Sequence, residues 1–201
     1  ETSVNDGRTG AQTTRFIYQG GAQNDEERKF FGFATVKELL PPIGAESPMD
    51  PPMILRKFRT DKLLAGRLEE VSRWDGSGPS AKVISLTKNE YTTTETTGVG
   101  SRRTALLTTV WNYKYTGEGG LCPSFPCSTA KRMKTEFTYD TYGNRSYAVS
   151  HGDFDIPGDE TLVWDYYVPN PTPYIVGLLG ARFVYSGTSA VFANLKTAEN
   201  H

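Results

Sequence analysis

The stretch that decides the fold is Phe137-Thr-Tyr-Asp-Thr-Tyr-Gly-Asn-Arg145. It predicts a strand that ends in Tyr139-Asp140, a tight turn centred on Gly143-Asn144, and a second strand that follows at once. Glycine and asparagine tolerate a positive φ, which a two-strand reversal requires. An aspartate side chain can also accept a hydrogen bond from the backbone two residues further on. The stretch therefore indicates an antiparallel β-hairpin.

The same strand chemistry extends over the rest of the 201 residues. Thr, Tyr, Val and Phe fit a pleated, half-buried surface, and Gly, Asn, Asp and Pro interrupt their runs. Helical spacing is found at Asp61–Val71, but Gly66 weakens it, so we expect a short turn or a single helical turn. The sequence predicts an all-β, mainly antiparallel hairpin-repeat sheet, with strands at 13–18, 30–36, 53–58, 82–86, 90–97, 105–115, 131–139, 145–149, 161–168 and 182–185.

Two loop excursions interrupt this pattern, at 40–52 and 117–128. The first carries five prolines, which cannot donate to a sheet ladder. The second contains Cys122 and Cys127, for which a disulfide and free thiols both remain open; a disulfide would close so small a loop that it would remove little chain entropy. No change of composition marks a second domain. We therefore expect residues 1–201 to form a single β-rich segment, cut from a longer protein.

The run Tyr139-Asp140, two further residues, then Gly143-Asn144 resembles the YD repeat of the RHS family. Residues 4–33 and 57–75 are similar, in the same order, to the region just before those repeats in the B components of insecticidal toxin complexes (TcB) and in SpvB-like secreted proteins. The chain departs from the family pattern in having one clear unit, where a full shell needs many.

The resemblance implies a function by architecture. In that family, β-hairpins wind into a hollow shell that encloses a C-terminal toxic region. The expected partners are other segments of the same shell, toxin-complex subunits and the enclosed toxic region. The expected location is secreted or at the surface of a bacterial cell, and the chain is expected to be a virulence-associated scaffold.

Composition and motifs argue against other classes. A net charge of −1 gives no general reason to expect nucleic acid or an anionic membrane. No apolar run approaches the roughly 20 residues of a membrane span. Because phosphate loops, nucleophile elbows and nucleotide fingerprints are missing from the sequence, we expect no enzyme, no cofactor and no metal site. His151 and the acidic residues after it, Asp153, Asp155, Asp159 and Glu160, are interpreted as a solvated turn and an exposed charged loop rather than as a catalytic pair or a calcium site.

The alternative function is a β-rich extracellular binding module. Its aromatic residues, including Trp74, Trp111 and Trp164, and its two loop excursions would recognise a glycan or another protein. Aromatic residues that alternate with polar ones are more typical of sheet packing. The glycosylation acceptor pattern at Asn144-Arg-Ser146 is interpreted as accidental.

Overall fold

The computed structural model of the chain describes residues 1–4, 12–41, 50–95, 103–115, 130–170, 172 and 175–200. Within these residues the secondary structure consists of twelve β-strands and a 3-10 helix at Phe192–Asn194. The strands are β1 (Thr2–Val4), β2 (Gln12–Asn24), β3 (Lys29–Leu39), β4 (Met53–Phe58), β5 (Leu68–Trp74), β6 (Val83–Glu95), β7 (Arg103–Tyr115), β8 (Ala130–Tyr139), β9 (Arg145–Ser150), β10 (Thr161–Tyr167), β11 (Leu179–Ser186) and β12 (Leu195–Asn200).

The twelve strands form one sheet whose strand order is the order of the sequence. Each strand is therefore hydrogen-bonded to its neighbours along the chain. The pairs β1–β2 through β5–β6 and β8–β9 through β11–β12 are antiparallel. Antiparallel neighbours can be joined by short turns, whereas parallel neighbours need a long crossover. This topology confirms the predicted all-β, hairpin-rich sheet.

Two strands run further than the sequence predicts. β2 continues through Gly20-Gly21, where an end was expected: Gly20 adopts a φ of +67°, and Gly21 pairs with Phe33 beyond it. β6 joins two predicted strands into one, because Asn89 stays within the strand and its Nδ2 donates to the carbonyl of Leu68 at 2.9 Å. Glycine and asparagine, which are common in turns, therefore do not end a strand when the neighbouring strand satisfies their hydrogen-bonding groups.

Three strands were not predicted. β1 lies in the polar first ten residues, where the sequence predicts no strand, and Thr2 pairs with Thr14. β12, at the other end of the order, is similarly polar and mostly exposed. Hydrophobic periodicity is absent from such strands because almost nothing of them is buried, so their backbone pairing leaves no pattern in the sequence.

The third, β5, overlaps the end of the helical candidate at Asp61–Val71. The structure reduces that candidate to turns over residues 61–66, in agreement with the expected short turn. Asp61 Oδ1 accepts a hydrogen bond from the Leu64 amide at 3.1 Å, and Gly66, with a φ of +77°, ends the turn. From Leu68 onward the chain is extended and pairs with both β4 and β6.

The two predicted loop excursions are described only in part. The base of the proline-rich loop is closed by a hydrogen bond of 2.8 Å from the Leu40 amide to the Pro52 carbonyl, and residues 42–49 lie outside the described residues. Residues 116–129 also lie outside them, and with them Cys122, Cys127 and the question of their disulfide.

The chain divides into two compact units. The first comprises Glu1–Asn89, Thr93–Ala105 and Tyr113–Ala130, and the second comprises Glu90–Thr92, Leu106–Asn112 and Lys131–His201. Among the described residues, the buried side chains of the first unit are Leu64, Ser72, Val83, Leu86, Tyr113 and Ala130, and those of the second are Thr109, Leu162, Asp165, Ala181 and Tyr185. That residues 1–201 form a single segment stays a prediction.

A β-bulge in β6 decides which of its apolar side chains is buried. Trp74 pairs with Val83 and Arg73 pairs with Ser85, so Ile84 is the extra residue. The bulge shifts the alternation by one position. As a result Val83 and Leu86 are both buried, while Ile84 is 50% exposed.

We expect Leu86→Ala to lower the free energy of unfolding by about 2 to 4 kcal/mol, because Leu86 is 2% exposed and its truncation leaves a cavity. Ile84→Ala, on the same strand, is the matched control and should cost less than about 1 kcal/mol. Urea unfolding followed by tryptophan fluorescence measures both. Equal losses for the two variants would contradict the bulge.

Candidate functional site

The predicted hairpin is formed by β8 and β9, and its reversal occupies residues 140–144. The Gly143 amide donates to the Asp140 carbonyl at 3.1 Å, and the Asp140 amide donates to the Asn144 carbonyl at 2.9 Å. The central residues of the turn are therefore Thr141 and Tyr142, not the Gly143-Asn144 pair that we expected. Gly143 instead takes the left-handed position that follows the turn, with a φ of +88°, and the register of β8 and β9 shifts beside it.

The Asp140 carboxylate holds the turn together. Its Oδ1 accepts hydrogen bonds from the amides of Tyr142 and Asn144, both at 2.9 Å, and its Oδ2 accepts one from Asn144 Nδ2 at 2.9 Å. The bond to the residue two positions on confirms the sequence expectation. Partial burial opposes the charged carboxylate, but the hydrogen bonds from Asn144, Tyr142 and Gly143 outweigh it and lower the pKa of Asp140.

Two further hydrogen bonds tie the hairpin to other strands of its unit. Asn144 Nδ2 also donates to the Val176 carbonyl at 2.7 Å, and the Tyr139 hydroxyl donates to the Leu107 carbonyl at 2.6 Å. Both hydrogens of the Asn144 side-chain amide are thus engaged in the folded chain. The glycosylation pattern at Asn144 therefore has no free side-chain amide. The motif formed by Tyr139, Asp140, Gly143 and Asn144 therefore connects β7, β8, β9 and the segment before β11.

A second carboxylate site was missed in the sequence. Asp165, in β10, is 3% exposed and accepts three hydrogen bonds from two arginines. Arg182 donates through Nε at 2.6 Å and through Nη2 at 3.0 Å, and Arg145 donates through Nη2 at 3.0 Å. Burial alone would raise the pKa of Asp165, but the two guanidinium groups lower it. The signal was present: an aspartate inside the predicted strand 161–168, with an arginine in the next strand.

His151 is not a solvated turn residue, which corrects our expectation. Its side chain is 19% exposed, and its Nε2 lies 2.6 Å from Glu136 Oε2. The ring packs edge-to-face against Phe154, whose amide donates to the Arg132 carbonyl in β8. The loop after β9 therefore folds back along β8, and this local pairing removes the ring from solvent.

The acidic loop is held by cations of β8. Asp153 pairs with Lys131 at 3.2 Å, Asp155 pairs with Arg132, and Asp159 accepts a hydrogen bond from the Asp153 amide at 2.8 Å. Among the described residues, no group of three or more His, Cys, Asp or Glu side chains is arranged to hold a metal ion.

The tryptophans are engaged by neighbouring side chains. Trp164 stands between Tyr147 and Phe183, at ring-centroid distances of 6.0 and 5.1 Å. Trp74 Nε1 donates to Ser72 Oγ at 2.9 Å, and Trp111 packs edge-to-face on Phe154 at 5.0 Å. These contacts are those of sheet-packing residues.

In the part of the chain that the structure describes, no helix has the length and apolarity needed to span a membrane. The fold and the site together define an antiparallel β-sheet protein whose strands pair in sequence order. Its hydrogen-bonded polar side chains stabilise the hairpins. No family model matches the sequence, and no curated protein matches it either.

Solved structures do match the fold. The crystal structure of TcdB2-TccC3 aligns with 87% of this chain at 11% identity and a TM-score of 0.63. The Tc holotoxin pore of Photorhabdus luminescens, with the mutation TccC3-D651A, aligns with 88% of this chain at 12% identity and a TM-score of 0.61. This chain spans 12% of the length of each of those chains. At such low identity the likeness shows a shared fold, and that fold is one found in toxin-complex chains.

We expect Gly143→Val to lower the free energy of unfolding by about 1 to 3 kcal/mol, because a β-branched residue is strained at a φ of +88°. A Cβ at Gly143 would meet no atom within 4 Å, so the cost comes from the backbone alone. Gly143→Asn is the matched control, since asparagine tolerates this conformation, and it should cost less. Thermal unfolding of both variants tests the turn; if Gly143→Asn costs as much as Gly143→Val, the positive φ is not what the turn requires.

We expect Asp165→Asn to lower the free energy of unfolding at pH 7 by about 2 to 3 kcal/mol, a range discounted for the partial exposure of both arginines. The folded-state pKa of Asp165 is lowered, so its stabilising contribution is fully present above the unfolded-state pKa of about 3.9. That contribution is lost as the pH falls through the folded-state pKa. Denaturant unfolding of the wild type and of Asp165→Asn at several pH values should show the difference shrinking below about pH 4.

Asp155→Asn is the matched control for this pH series. Asp155 also pairs with an arginine, Arg132, but its side chain is 50% exposed and solvent screens the pair, so its removal should cost much less stability than that of Asp165. A difference between wild type and Asp165→Asn that is constant from pH 7 to pH 2 would contradict an ionised Asp165 in the folded chain.

Proposed function

We propose that this chain is a structural segment of a secreted RHS/YD-repeat toxin-associated protein, in which its hairpins form part of a shell around a C-terminal toxic region. The observation that carries the proposal is the strand order: twelve strands that each pair with their neighbours in sequence. Such a sheet grows by adding one hairpin after another, and each strand satisfies the backbone groups of the one before it.

The likeness to toxin-complex chains supports this proposal from a second direction. The shared fold extends over 87% of this chain, although only 11% of the aligned residues are identical. Because the chain spans 12% of the length of the TcdB2-TccC3 chain, enclosure of a toxic region would be a property of a larger polypeptide. The partners are accordingly other segments of that shell and other toxin-complex subunits.

Within this proposal, Tyr139, Asp140, Gly143 and Asn144 are the hairpin-forming residues of a YD unit. Their contacts support that role: the tyrosine hydroxyl bonds to β7, the aspartate closes the turn, and the asparagine bonds both to the turn and to Val176. These are stabilising contacts within the sheet.

The alternative, a β-rich extracellular module that recognises a glycan or another protein through its aromatic residues and its two loop excursions, has less support from its tryptophans. Trp164 is flanked by two aromatic rings, and Trp74 is bonded to Ser72. Rings engaged in this way have little free face to offer a sugar.

Electron cryomicroscopy of the native polypeptide that contains this chain tests the proposed function. We expect a hollow body in which β1 to β12 form part of the wall and the C-terminal region lies inside. The enclosed region should resist protease until the body is unfolded, because the wall excludes the protease. A solid particle, or a C-terminal region digested at the same rate as exposed linkers, would refute the proposal.

A further inference from the structure

An open cavity of about 260 Å³ lies beside the β8–β9 turn, within the second unit. Its volume is just below the range of about 300 to 1,000 Å³ that is typical of small-molecule sites, which suits a single side chain better than a drug-sized ligand. Its lining includes two carboxylates and three aromatic rings, those of Asp140, Asp165, Tyr142, Trp164 and Tyr166. Carboxylates and aromatic rings are therefore both present, and no basic residue is among these lining residues.

The two carboxylates differ in how their charge is balanced. Asp165 is neutralised by Arg145 and Arg182, which bond to both of its oxygens. The hydrogen bonds that Asp140 accepts all come from neutral donors, and within the described part of the chain it forms no ion pair. Its Oδ2 accepts one such bond, which leaves capacity for another donor. Asp140 is therefore the carboxylate of this cavity that has no cationic partner within the described part of the chain.

Two exposed tyrosine rings line the same cavity. Tyr142 is 44% exposed and Tyr166 is 50% exposed. Tyr166 is held edge-on against Trp164, with ring centroids 6.4 Å apart and planes at 77°. Because Trp164 is itself held between Tyr147 and Phe183, the position of Tyr166 is set by a row of packed rings. A cation over the face of an exposed tyrosine is attracted by the ring quadrupole.

We propose that this cavity binds the guanidinium group of an arginine side chain that a protein partner presents. A guanidinium is planar, stacks on aromatic rings and can donate a charge-assisted hydrogen bond to the open position of Asp140 Oδ2. A lysine ammonium is more strongly hydrated and lacks the planar face, and a neutral sugar would leave the charge of Asp140 unmatched. The lowered pKa of Asp140 keeps its carboxylate ionised at neutral pH. This site is distinct from the hairpin-forming role of the motif and does not depend on the shell.

The test is an NMR titration of the ¹⁵N-labelled 201-residue chain with N-acetyl-arginine amide. We expect shifts confined to the amides of residues 140–146 and 164–169, with a Kd on the order of 1 mM, as the size of a single side chain allows. N-acetyl-citrulline amide has the same shape without the charge and should bind at least about ten-fold more weakly. Raising the salt from 0.05 to 0.5 M should weaken arginine binding several-fold.

Two variants separate the ring from the carboxylate. Tyr166→Leu keeps an apolar side chain but removes the ring, and should weaken arginine binding by about three-fold. Tyr18→Leu removes a tyrosine of similar exposure, 54%, in the other unit, and should leave the Kd unchanged. Asp140→Asn should abolish the preference for arginine over citrulline; if that variant unfolds, the Tyr166→Leu and citrulline results still decide the matter.

Three results would overturn the inference. The first is equal binding of the arginine and citrulline amides, which would show that charge is not recognised. The second is a methyl pyranoside that shifts the same amides when the arginine amide does not, which would make the cavity a sugar site. The third is an arginine response spread over the whole chain, which would indicate non-specific binding to its 23 acidic residues.

Discussion

The structure depends on one constraint: every strand must satisfy its backbone hydrogen-bonding groups with the strands next to it in sequence. An unpaired and buried N–H or C=O group costs about as much as a whole hydrogen bond contributes, so twelve strands in sequence order need eleven compatible registers. Local pairing makes this possible, since each hairpin closes a short loop at small entropic cost. The bulges in β6, β11 and β12 then shift the side-chain alternation without breaking the order.

The two carboxylates of the second unit show two ways of stabilising such a sheet. Asp140 acts locally: its three donors lie within four residues, so the turn that it closes is encoded in a short stretch of sequence. Asp165 acts across strands: its two arginines are 20 and 17 residues away, and its charge is buried. Removing a donor from a buried carboxylate leaves an uncompensated charge, so Asp165 ties β10 to β9 and β11 more strictly than apolar packing would.

This difference explains how much could be predicted from the sequence. Strands that are mostly half-buried, such as β4 and β8, were located within a residue of their observed bounds because apolar residues mark them in the sequence. β1 and β12 are almost entirely exposed, so pairing alone defines them. The hairpin at Asp140 was predicted, although its centre was placed two residues too late, because Gly143 serves the position after the turn. The partners of Asp165 and His151 depend on register, which periodicity does not reveal.

The same reasoning accounts for a shared fold at an identity of 11%. A sequential antiparallel sheet needs alternation, turn residues and compatible neighbours, and many residue combinations meet those needs. Identity is demanded only where a single residue type does the chemistry, such as a glycine at a φ of +88° or an aspartate that closes a turn. Such residues are few in a hairpin, so a family of sheets can diverge almost completely while each member keeps its strand order.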